Sequence, residues 1–506
     1  MSNQIGFERI VYLGDSLTDS GGLFAATSAV AFIGVPPLAA GYAMQFSNGA
    51  VYADFVPGLI GVEGGEALNF AIGGAQLLTD NTIGDILAGS GLIRPDAAEE
   101  DLAFGIDFAA QVERFLASPA AEGDLSATAV SIFIGLNDYN DFVPTSIETA
   151  GAEAFAYGVL LANTIAEDAQ PLIDAGVGTI ILKTNPLVDV FPVTNGDGPE
   201  QQLLAQAVDV GFNTTLRAQA EALEAQGVDV RIVDMNGIFA EVDADFASFG
   251  FRIFEEQVLL GSNGSGGINP AVLGVPLDQI GFFDAVHPTA AFHGILGAFE
   301  AESLTSDYQR GTDAGERLKG SRADDLILAS GGDDKVFTGR GEDVALAGLG
   351  DDFVWTGRGA DLIAGGSGDD FALGGAGADI IADGAGDDRA FGGRGADLMI
   401  DGEGDDVYFG QHGRDTFVFT DPALFGREGG ETNLVFGGGG RDTLILRVAD
   451  EDADLGVYQR GKTIFVEELG IKAFGVENLV IVEGTDLSDK AFYNEQFATA
   501  DLWNFI

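Results

Sequence analysis

The first 305 residues alternate short apolar runs with longer amphipathic segments. Four runs have the length and β-branched content of buried parallel strands, at residues 10–13, 130–134, 179–182 and 228–233. Helical patterns lie at about 107–117, 151–175 and 199–226, and from Pro288 to about 304. This alternation predicts a layered α/β domain with a parallel sheet over residues 1–305.

From residue 320 the pattern changes to a strict period of nine. Eleven nonapeptides fill 320–418 without a break in phase, from GSRADDLIL, ASGGDDKVF and TGRGEDVAL to GQHGRDTFV. Aspartate holds the sixth place in all eleven and glycine the fourth place in ten. A further unit, GGGGRDTLI at 437–445, follows an insertion at 419–436. A flexible glycine-rich linker would not keep aspartate in phase, so the pattern predicts a repeat architecture.

The composition of each unit suggests what the repeats bind. Glycine lets a turn adopt left-handed backbone conformations that aim carbonyl oxygens inward, and the sixth-place carboxylate adds a charged oxygen. Ca²⁺ takes six to eight such hard ligands. We therefore expect a parallel β-roll over 320–445, made of three-residue strands and holding several calcium ions. The candidate ligands are Asp325, Asp334, Asp343, Asp352, Asp361, Asp370, Asp379, Asp388, Asp397, Asp406, Asp415 and Asp442.

Odd and even repeats differ. Even repeats have a second acid at the fifth place, whereas four odd third places carry arginine: Arg322, Arg340, Arg358 and Arg394. The even strands end in large apolar residues 18 apart, namely Phe337, Trp355, Leu373, Phe391 and Phe409. With the eighth place facing inward, this row faces outward. We expect it to pack against the N-terminal domain or the C-terminal segment, rather than to form a lipid or substrate platform.

Charge and cysteine content narrow the possible partners. The chain has 24 Lys and Arg against 80 Asp and Glu, a net charge of −56. This charge repels nucleic acid and anionic membranes and attracts multivalent cations. With 46% apolar residues the chain is not a disordered acidic polymer. It has no cysteine, so disulfides cannot stabilise it and another cross-link, such as bound calcium, is expected. We see no N-terminal signal peptide and no membrane span, because the apolar segment 29–44 is short and contains Pro36 and Pro37.

The nonapeptides resemble the RTX (repeats-in-toxin) sequences of secreted calcium-binding proteins. The resemblance implies that 446–484 is a β-rich segment capping the roll, and that 485–506 is an uncleaved C-terminal signal for a type I secretion machinery. It also implies an extracellular location, which agrees with the missing N-terminal signal. The polar stretch 306–319 is expected to be a linker.

Five short blocks in the N-terminal domain carry a second resemblance. In chain order they are IVYLGDSLTD at 10–19, FSNG at 46–49, NFAIGGA at 69–75, IGLND at 134–138 and DAVHP at 284–288. They resemble the blocks of the GDSL, or SGNH, serine ester hydrolases, which have a three-layer α/β fold. The resemblance implies a catalytic triad of Ser16, Asp284 and His287. It also implies an oxyanion hole formed by the N–H groups of Ser16 and Gly74, with Gly73 as the neighbouring possibility, and by the Asn137 side chain.

The residues themselves favour the same assignment. A serine hydroxyl is a weak nucleophile until a base such as imidazole removes its proton. Of the three histidines, His412 lies in a repeat turn and His293 on a helical pattern. Only His287 lies in a predicted loop with an aspartate three residues upstream, which could orient the imidazole ring. The acids Asp15, Asp19 and Asp138 are interpreted as turn and cap residues. This chemistry needs no metal or other cofactor, so the expected role of calcium is structural.

Several functions fit these features. The first is a secreted carboxylic-ester hydrolase, either a lipase or an esterase, in which segment 29–44 could line an acyl pocket or simply belong to the core. Within the same reaction class, a phospholipase or haemolysin-like acyl hydrolase and a carbohydrate O-deacetylase remain open. From another class, a calcium-dependent adhesin or matrix protein with a vestigial hydrolase would also carry the roll.

Overall fold

The computed structural model describes residues 5–20, 23, 27, 47, 50–64, 68–73, 75–79, 81–88, 93–94, 97–146, 149–186, 191, 199–244, 253–258, 269, 280–283, 287–420, 431–448 and 455–483. The chain divides into two compact units, which are Met1–Ala240 with Ile253–Leu304, and Glu241–Arg252 with Thr305–Ile506. We call them the hydrolase unit and the roll unit. An α/β unit followed by an all-β unit confirms the predicted fold classes. Among the described helices, none combines the length and the hydropathy that a bilayer crossing requires.

The hydrolase unit is built on a parallel sheet whose four strands lie in chain order. They are β1 (Arg9–Gly14), β2 (Thr128–Phe133), β3 (Thr179–Lys183) and β4 (Asp229–Val233). All four coincide with the predicted runs to within two residues, because continuous apolar stretches bury both faces of a parallel strand. A separate parallel pair is formed by β5 (Ile253–Gln257) and β6 (Ile280–Phe282).

Helices connect and flank these strands. In the described residues they are α1 (Tyr52–Ile60), α2 (Ile83–Leu87), α3 (Glu99–Leu102), α4 (Phe108–Ala117), α5 (Ala150–Asp168), α6 (Gln170–Asp174), α7 (Pro199–Glu224), α8 (Met235–Ala244) and α9 (Ala290–Thr305). The single helix predicted over 151–175 is two helices. Pro171 has no N–H to continue the first helix but suits the first turn of the second.

One face of the sheet packs against α4, α5 and α7 in the main core of the unit. Helices α5 and α7 approach closely because glycines lie at their crossing. A Cβ atom on Gly158 would lie 2.0 Å from the carbonyl oxygen of Val208, and one on Gly211 would lie 2.2 Å from that of Phe155. Alternate residues of β1, such as Tyr12, point to the opposite face.

The roll unit contains two sheets, one for each parity of the repeats, in which the strands of the repeats pair in parallel. The even sheet contains β8 (Arg317–Lys319), β10 (Lys335–Arg340), β12 (Phe353–Arg358), β14 (Phe371–Ala376), β16 (Arg389–Gly395), β18 (Val407–Gly413), β20 (Leu434–Phe436), β21 (Gly439–Gly440), β23 (Val457–Arg460), β24 (Thr463–Val466) and β25 (Ile471–Phe474). The odd sheet contains β7 (Asp307–Arg310), β9 (Asp325–Leu328), β11 (Val344–Leu346), β13 (Leu362–Ala364), β15 (Ile380–Ala382), β17 (Leu398–Ile400), β19 (Thr416–Thr420), β22 (Thr443–Val448) and β26 (Asn478–Glu483).

The strand register follows the repeat period. Lys335 pairs with Phe353, and Val344 pairs with Leu362, each 18 residues apart. Eighth-place side chains such as Val336 and Ile363 are buried between the sheets, as predicted. The even strands within the repeats are six or seven residues long rather than three, because each continues through the start of the next repeat.

Two boundaries of the roll differ from the predicted ones. Residues 306–319 are not a linker, because β7 pairs with β9 and β8 pairs with β10. Part of the insertion 419–436 is a degenerate even repeat, in which Asn433 takes the sixth place and accepts a hydrogen bond from the Asp406 N–H. Both segments lack the glycine-aspartate pattern, and they belong to the roll because their strands pair with strands of the repeats.

The segment 446–484 is rich in strands, as predicted. Strands β23, β24 and β25 run antiparallel to one another, and β25 pairs with β20. Strand β26 pairs with β22 and so extends the odd sheet. The predicted secretion signal, 485–506, lies outside the described residues.

The outward-facing aromatic row is present on the even sheet. Its most exposed member, Trp355, is 49% exposed. The row continues through Phe436 to Phe474, whose ring centroids lie 5.1 Å apart. The C-terminal strand β25 therefore lengthens the row instead of covering it, so within the described residues the expected packing on the C-terminal segment is not seen. The outward side chains that are fully buried belong to odd strands, for example Leu326 and Val344.

Candidate active site and candidate calcium sites

The candidate nucleophile, Ser16, lies in the turn that follows β1. Gln111 of α4 holds the end of this strand with two hydrogen bonds of 2.8 Å, accepting from the Gly14 N–H and donating to the Gly14 carbonyl oxygen. Gly14 cannot carry a side chain, since a Cβ atom would lie 2.3 Å from the carbonyl oxygen of Phe133. The turn is thus fixed by the strand and the helix that flank it.

His287 contacts Ser16 although the two residues are 271 positions apart in the sequence. Its Nε2 atom lies 2.8 Å from Ser16 Oγ. The two residues are 5% and 9% exposed, respectively. The His287 carbonyl oxygen accepts a hydrogen bond from the Phe283 N–H, which ties its loop to β6. In this arrangement the imidazole can accept the serine proton. The predicted triad acid, Asp284, lies outside the described residues.

The predicted oxyanion donors are described only in part. The Asn137 side-chain amide is half-buried and donates to the carbonyl oxygen of Ala75 over 3.0 Å, which places it beside the NFAIGGA block. Gly74 lies outside the described residues. The neighbouring possibility, Gly73, uses its N–H in a 2.8 Å hydrogen bond to Asp19 Oδ2. Of the FSNG block, only the buried Ser47 is described.

The three acids near the motifs bind backbone N–H groups. Asp15 accepts from Leu17, Asp19 accepts from Leu23 as well as Gly73, and Asp138 accepts from the N–H groups that follow the NFAIGGA block. Burial raises the pKa of Asp15 to about 7, against the lowering effects of the Leu17 N–H and His287. Burial also raises the pKa of Asp138 to about 6. The contact of Asp15 is that of a turn residue, whereas Asp19 and Asp138 also bind backbone 54 and 61 residues away and so connect separate loops.

A buried ion pair behind the nucleophile turn was not foreseen from the sequence. Lys183 Nζ lies 2.9 Å from Glu300 Oε1, and both side chains are fully buried. Burial lowers the pKa of Lys183 and raises that of Glu300. The Lys183 ammonium lies 5.2 Å from the centre of the Tyr52 ring, whose hydroxyl is 2.8 Å from Thr18 Oγ1 in the nucleophile turn. The sequence signal that could have indicated this ion pair is Lys183 itself, a charged residue at the end of a buried strand.

The other two histidines do not contact Ser16 in the described part of the chain. His293 is buried in α9, where its Nδ1 atom accepts a 3.3 Å hydrogen bond from the Tyr52 N–H. Burial, followed by the influence of His287, lowers the pKa of His293 to about 3, so the ring is neutral. His412 is exposed on the roll, paired in register with Arg394.

All twelve predicted calcium ligands are buried in the roll. In most of them Oδ1 accepts the N–H of the aspartate 18 residues earlier; Asp352 Oδ1, for example, lies 2.6 Å from the Asp334 N. The Oδ2 atom is without a hydrogen-bond partner, within the described part of the chain, in ten: Asp334, Asp352, Asp361, Asp370, Asp379, Asp388, Asp397, Asp406, Asp415 and Asp442. Orphaned carboxylate oxygens beside turn carbonyls are the donor set that Ca²⁺ prefers.

The turn backbone explains the regular spacing of glycine in the repeats. At Gly359 the φ angle is +142°, and a Cβ atom would lie 1.5 Å from the carbonyl oxygen of Gly341 in the turn below. Successive turns therefore stack too closely for any side chain at this place. Burial of the sixth-place carboxylates raises their pKa, in Asp370 to about 8. A bound cation would offset that cost of burying negative charge.

The two edges of the roll differ as predicted. On the even edge the fifth-place acids form an exposed ladder, in which the N–H of Asp369 donates to Asp351 Oδ1 over 3.0 Å. On the other edge Arg340 pairs in register with Arg358. These arginines line a groove of about 580 Å³ that also includes Trp355 and a floor of glycines.

Comparison with known proteins agrees with both halves of this description. The GDSL-like lipase/acylhydrolase family matches residues 10–298. The RTX calcium-binding nonapeptide repeat matches three consecutive stretches, at 310–345, 346–381 and 382–417. The first of these begins before residue 320, in agreement with the strands found at 306–319.

Individual proteins add little to the family match. No curated protein matches the chain. Among solved structures, a mutant of Axe2, an acetyl-xylooligosaccharide esterase from Geobacillus stearmophilus, is 20% identical, with a TM-score of 0.27, and the match covers 60% of this chain and 96% of that one. A likeness at this level does not identify a function. The match over residues 10–298 does identify a family: the chain belongs to the GDSL-like lipases/acylhydrolases, and RTX calcium-binding repeats follow its hydrolase unit.

Proposed function

We propose that this protein is a secreted carboxylic-ester hydrolase, either a lipase or an esterase, that acts through Ser16, His287 and Asp284. The observation that carries the proposal is the 2.8 Å contact between Ser16 Oγ and His287 Nε2, in a turn held by Gln111. Membership of the acylhydrolase family supports the reaction class.

The first half of the reaction forms an acyl-enzyme. Ser16 Oγ attacks the ester carbonyl carbon while its proton passes to His287 Nε2. Asp284 orients the imidazole and stabilises its charged form. The proton then moves from His287 to the departing alcohol, and the acyl group remains on Ser16. In the second half, His287 removes a proton from water, and the water oxygen attacks the acyl carbon. The bond from this carbon to Ser16 Oγ then breaks, His287 returns the proton to Ser16 Oγ, and the acid is released.

The negative charge that develops on the carbonyl oxygen needs donors that are already in place. We assign this role to the Ser16 N–H, the Gly74 N–H and the Asn137 side chain. The position of Asn137 beside Ala75 supports this assignment, because it brings two of the predicted blocks together. The hydrogen bond from the Gly73 N–H to Asp19 Oδ2 supports Gly74 over Gly73 as the donor.

Calcium acts in the roll and not in the chemical step. The sixth-place aspartates, Asp325 to Asp442, would hold the ions with turn carbonyl oxygens. The cations would neutralise carboxylates whose Oδ2 atoms, in ten of the twelve, have no hydrogen-bond partner among the described residues, so the roll would be stable where calcium is abundant. We infer from this dependence on calcium that the roll is unfolded during export and folds outside the cell. Residues 485–506 would be the signal that a type I exporter recognises.

A panel of esters tests the catalytic assignment. Ser16→Ala is expected to lower kcat by about 10⁴-fold or more on every ester that the wild type hydrolyses. His287→Asn is expected to be similarly impaired, whereas His293→Asn, a matched change at a buried histidine away from the reacting atoms, should retain most activity. Survival of activity in Ser16→Ala would show that the nucleophile is another residue.

The same panel separates the remaining substrate classes. It contains p-nitrophenyl esters of increasing chain length, phospholipid and acetylated xylan, each assayed with calcium and with chelator. Preference for phospholipid would favour the phospholipase or haemolysin-like alternative, and preference for acetylated glycan would favour an O-deacetylase. A folded wild type without activity on any ester would favour the adhesin or matrix protein.

Export is tested separately from catalysis. The full chain and a variant ending at 484 are expressed in a host with and without a type I exporter. We expect the full chain in the medium only when the exporter is present, and the shortened chain inside the cell in both hosts. Equal export of the two chains would contradict the assignment of 485–506.

A further inference from the structure

The first place of each nonapeptide faces the sixth-place carboxylate of the same repeat. At Gly365 a Cβ atom would lie 2.6 Å from Asp370 Oδ2. At Thr338 the side chain uses this proximity, and its hydroxyl donates to Asp343 Oδ2 over 2.5 Å. A side chain at the first place therefore meets the carboxylate oxygen that the backbone leaves unpaired in most repeats.

Two even repeats, the eighth and the tenth, have aspartate at this place, Asp383 and Asp401. Asp383 is 1% exposed, and one oxygen from each of Asp383, Asp388 and Asp406 lies within 4.8 Å of the others. Asp388 and Asp406 are 2% and 0% exposed, and their Oδ2 atoms have no hydrogen-bond partner among the described residues. Three buried carboxylates thus converge on one point, two of them with an unused oxygen.

Tyr408 lies behind this cluster, at the inward-facing eighth place of the tenth repeat. Its hydroxyl is bonded to Asp383 and lies 2.8 Å from Asp401 Oδ1. A phenol has a single hydrogen to donate, so it satisfies one of these two carboxylates at a time. In the described part of the chain, no salt bridge reaches any of the four acids. Buried charges at this density need a counterion or bound protons.

We infer that Asp383, Asp388 and Asp406 hold one Ca²⁺ in a three-carboxylate site, in which a first-place ligand adds to two sixth-place aspartates. The preceding even repeats have Ala329, Ala347 or Gly365 at that place, so their sites lack this extra carboxylate. The affinity of calcium sites depends on the number of charged ligands. This site therefore retains calcium longest and anchors the C-terminal end of the even edge, independently of the hydrolase activity.

Two isosteric variants separate a ligand from a nearby charge. Asp383→Asn removes the first-place ligand, and Asp401→Asn removes an equal charge from the same edge while leaving the three converging carboxylates in place. The calcium-loaded full chain is titrated with a chelator of known affinity, and the free calcium at which the last ion leaves is measured. We expect this concentration to rise about tenfold in Asp383→Asn and to stay near the wild-type value in Asp401→Asn.

A second measurement uses Tyr408 as a reporter. Terbium bound beside Asp383 would receive excitation energy from the tyrosine ring, so tyrosine-excited terbium emission should fall in Asp383→Asn and persist in Asp401→Asn. Circular dichroism in saturating calcium checks that both variants fold, and Asp383→Gly, the residue found at this place in other repeats, replaces Asp383→Asn if that variant does not.

The alternative outcomes each overturn the inference. An equal loss of affinity in both variants would mean that Asp383 acts only through its charge and is no ligand. Unchanged release in both variants would mean that the carboxylates share protons instead of a cation.

Discussion

The two units of this protein satisfy their buried carboxylates in different ways. In the hydrolase unit, Asp138 and Asp19 each accept backbone N–H groups, and Glu300 faces Lys183. In the roll unit, ten sixth-place aspartates have an Oδ2 atom that no donor reaches among the described residues. The hydrolase unit therefore carries its own compensation for buried charge, whereas the roll depends on a cation from the solution.

Removing calcium should produce the largest difference in stability between the two units. At a calcium concentration 100 times its dissociation constant, each site stabilises the folded roll by about 2.7 kcal/mol. Several sites together exceed the roughly 5–15 kcal/mol that stabilises a typical domain. We expect the chelated roll to unfold while the hydrolase unit keeps its helices and its activity on a short soluble ester.

The two units can be followed by separate probes. The tryptophans, Trp355 and Trp503, are both in the roll unit, and the described helices lie almost wholly in the hydrolase unit. Tryptophan fluorescence and helical circular dichroism should therefore diverge when chelator is added. Parallel loss of both signals would show that the hydrolase unit needs a folded roll.

Breaking the buried ion pair should destabilise the hydrolase unit by the next largest amount. Lys183→Met leaves the Glu300 carboxylate buried without its partner, which typically costs about 3–5 kcal/mol. Urea unfolding followed by helical circular dichroism, in saturating calcium, measures this change. The double variant Lys183→Met, Glu300→Leu removes both charges and should recover most of the stability. A single variant as stable as the wild type would show that the pair contributes little.

Asn137→Ala tests the electrostatic part of the proposed active site. Loss of one preorganised oxyanion donor is expected to lower kcat by about 10²–10³-fold with little change in KM, because the donor acts mainly in the transition state. Steady-state kinetics on the best ester of the panel measures the two constants. A rise in KM with an unchanged kcat would assign Asn137 to substrate binding. The roll's calcium affinity should not change, which keeps the two units distinct.

Much of this division could be predicted from the sequence because its signals are local. Apolar runs and the nine-residue period determine which residues face inward, so the strands of the sheet and the register of the roll were foreseen. The strands at 306–319 and the degenerate repeat around Asn433 were not, because these segments join the roll by pairing and not by their own pattern. The Lys183–Glu300 pair joins a strand to a distant helix and leaves no periodic trace.

The inner side of the roll shows the same limit. The first place of a nonapeptide holds glycine in five of the eleven units and varies in the others, and the sequence alone did not indicate that a side chain there meets the sixth-place carboxylate. That contact depends on the conformation of the turn within one repeat, which brings together residues five places apart, such as Thr338 and Asp343. The sequence also did not indicate that outward side chains of the odd strands, such as Leu326 and Val344, are buried, because the odd and even strands are both apolar.

The smallest expected effect is a pH dependence confined to the hydrolase unit. Burial lowers the pKa of His293 to about 3, while an unfolded histidine has a pKa of about 6.5. Below pH 6.5 the unfolded chain therefore binds a proton that the folded chain excludes, so stability falls as the pH falls toward 3. Between pH 7.5 and 5.5 this group should remove about 1 kcal/mol of stability.

His293→Asn keeps an acceptor for the Tyr52 N–H but does not titrate. In saturating calcium, the difference between the urea stabilities of the two proteins should therefore shrink by that amount at pH 5.5. A constant difference would mean that His293 is protonated in the folded unit, and that the hydrolase unit, like the roll, holds a buried charge without a protein partner.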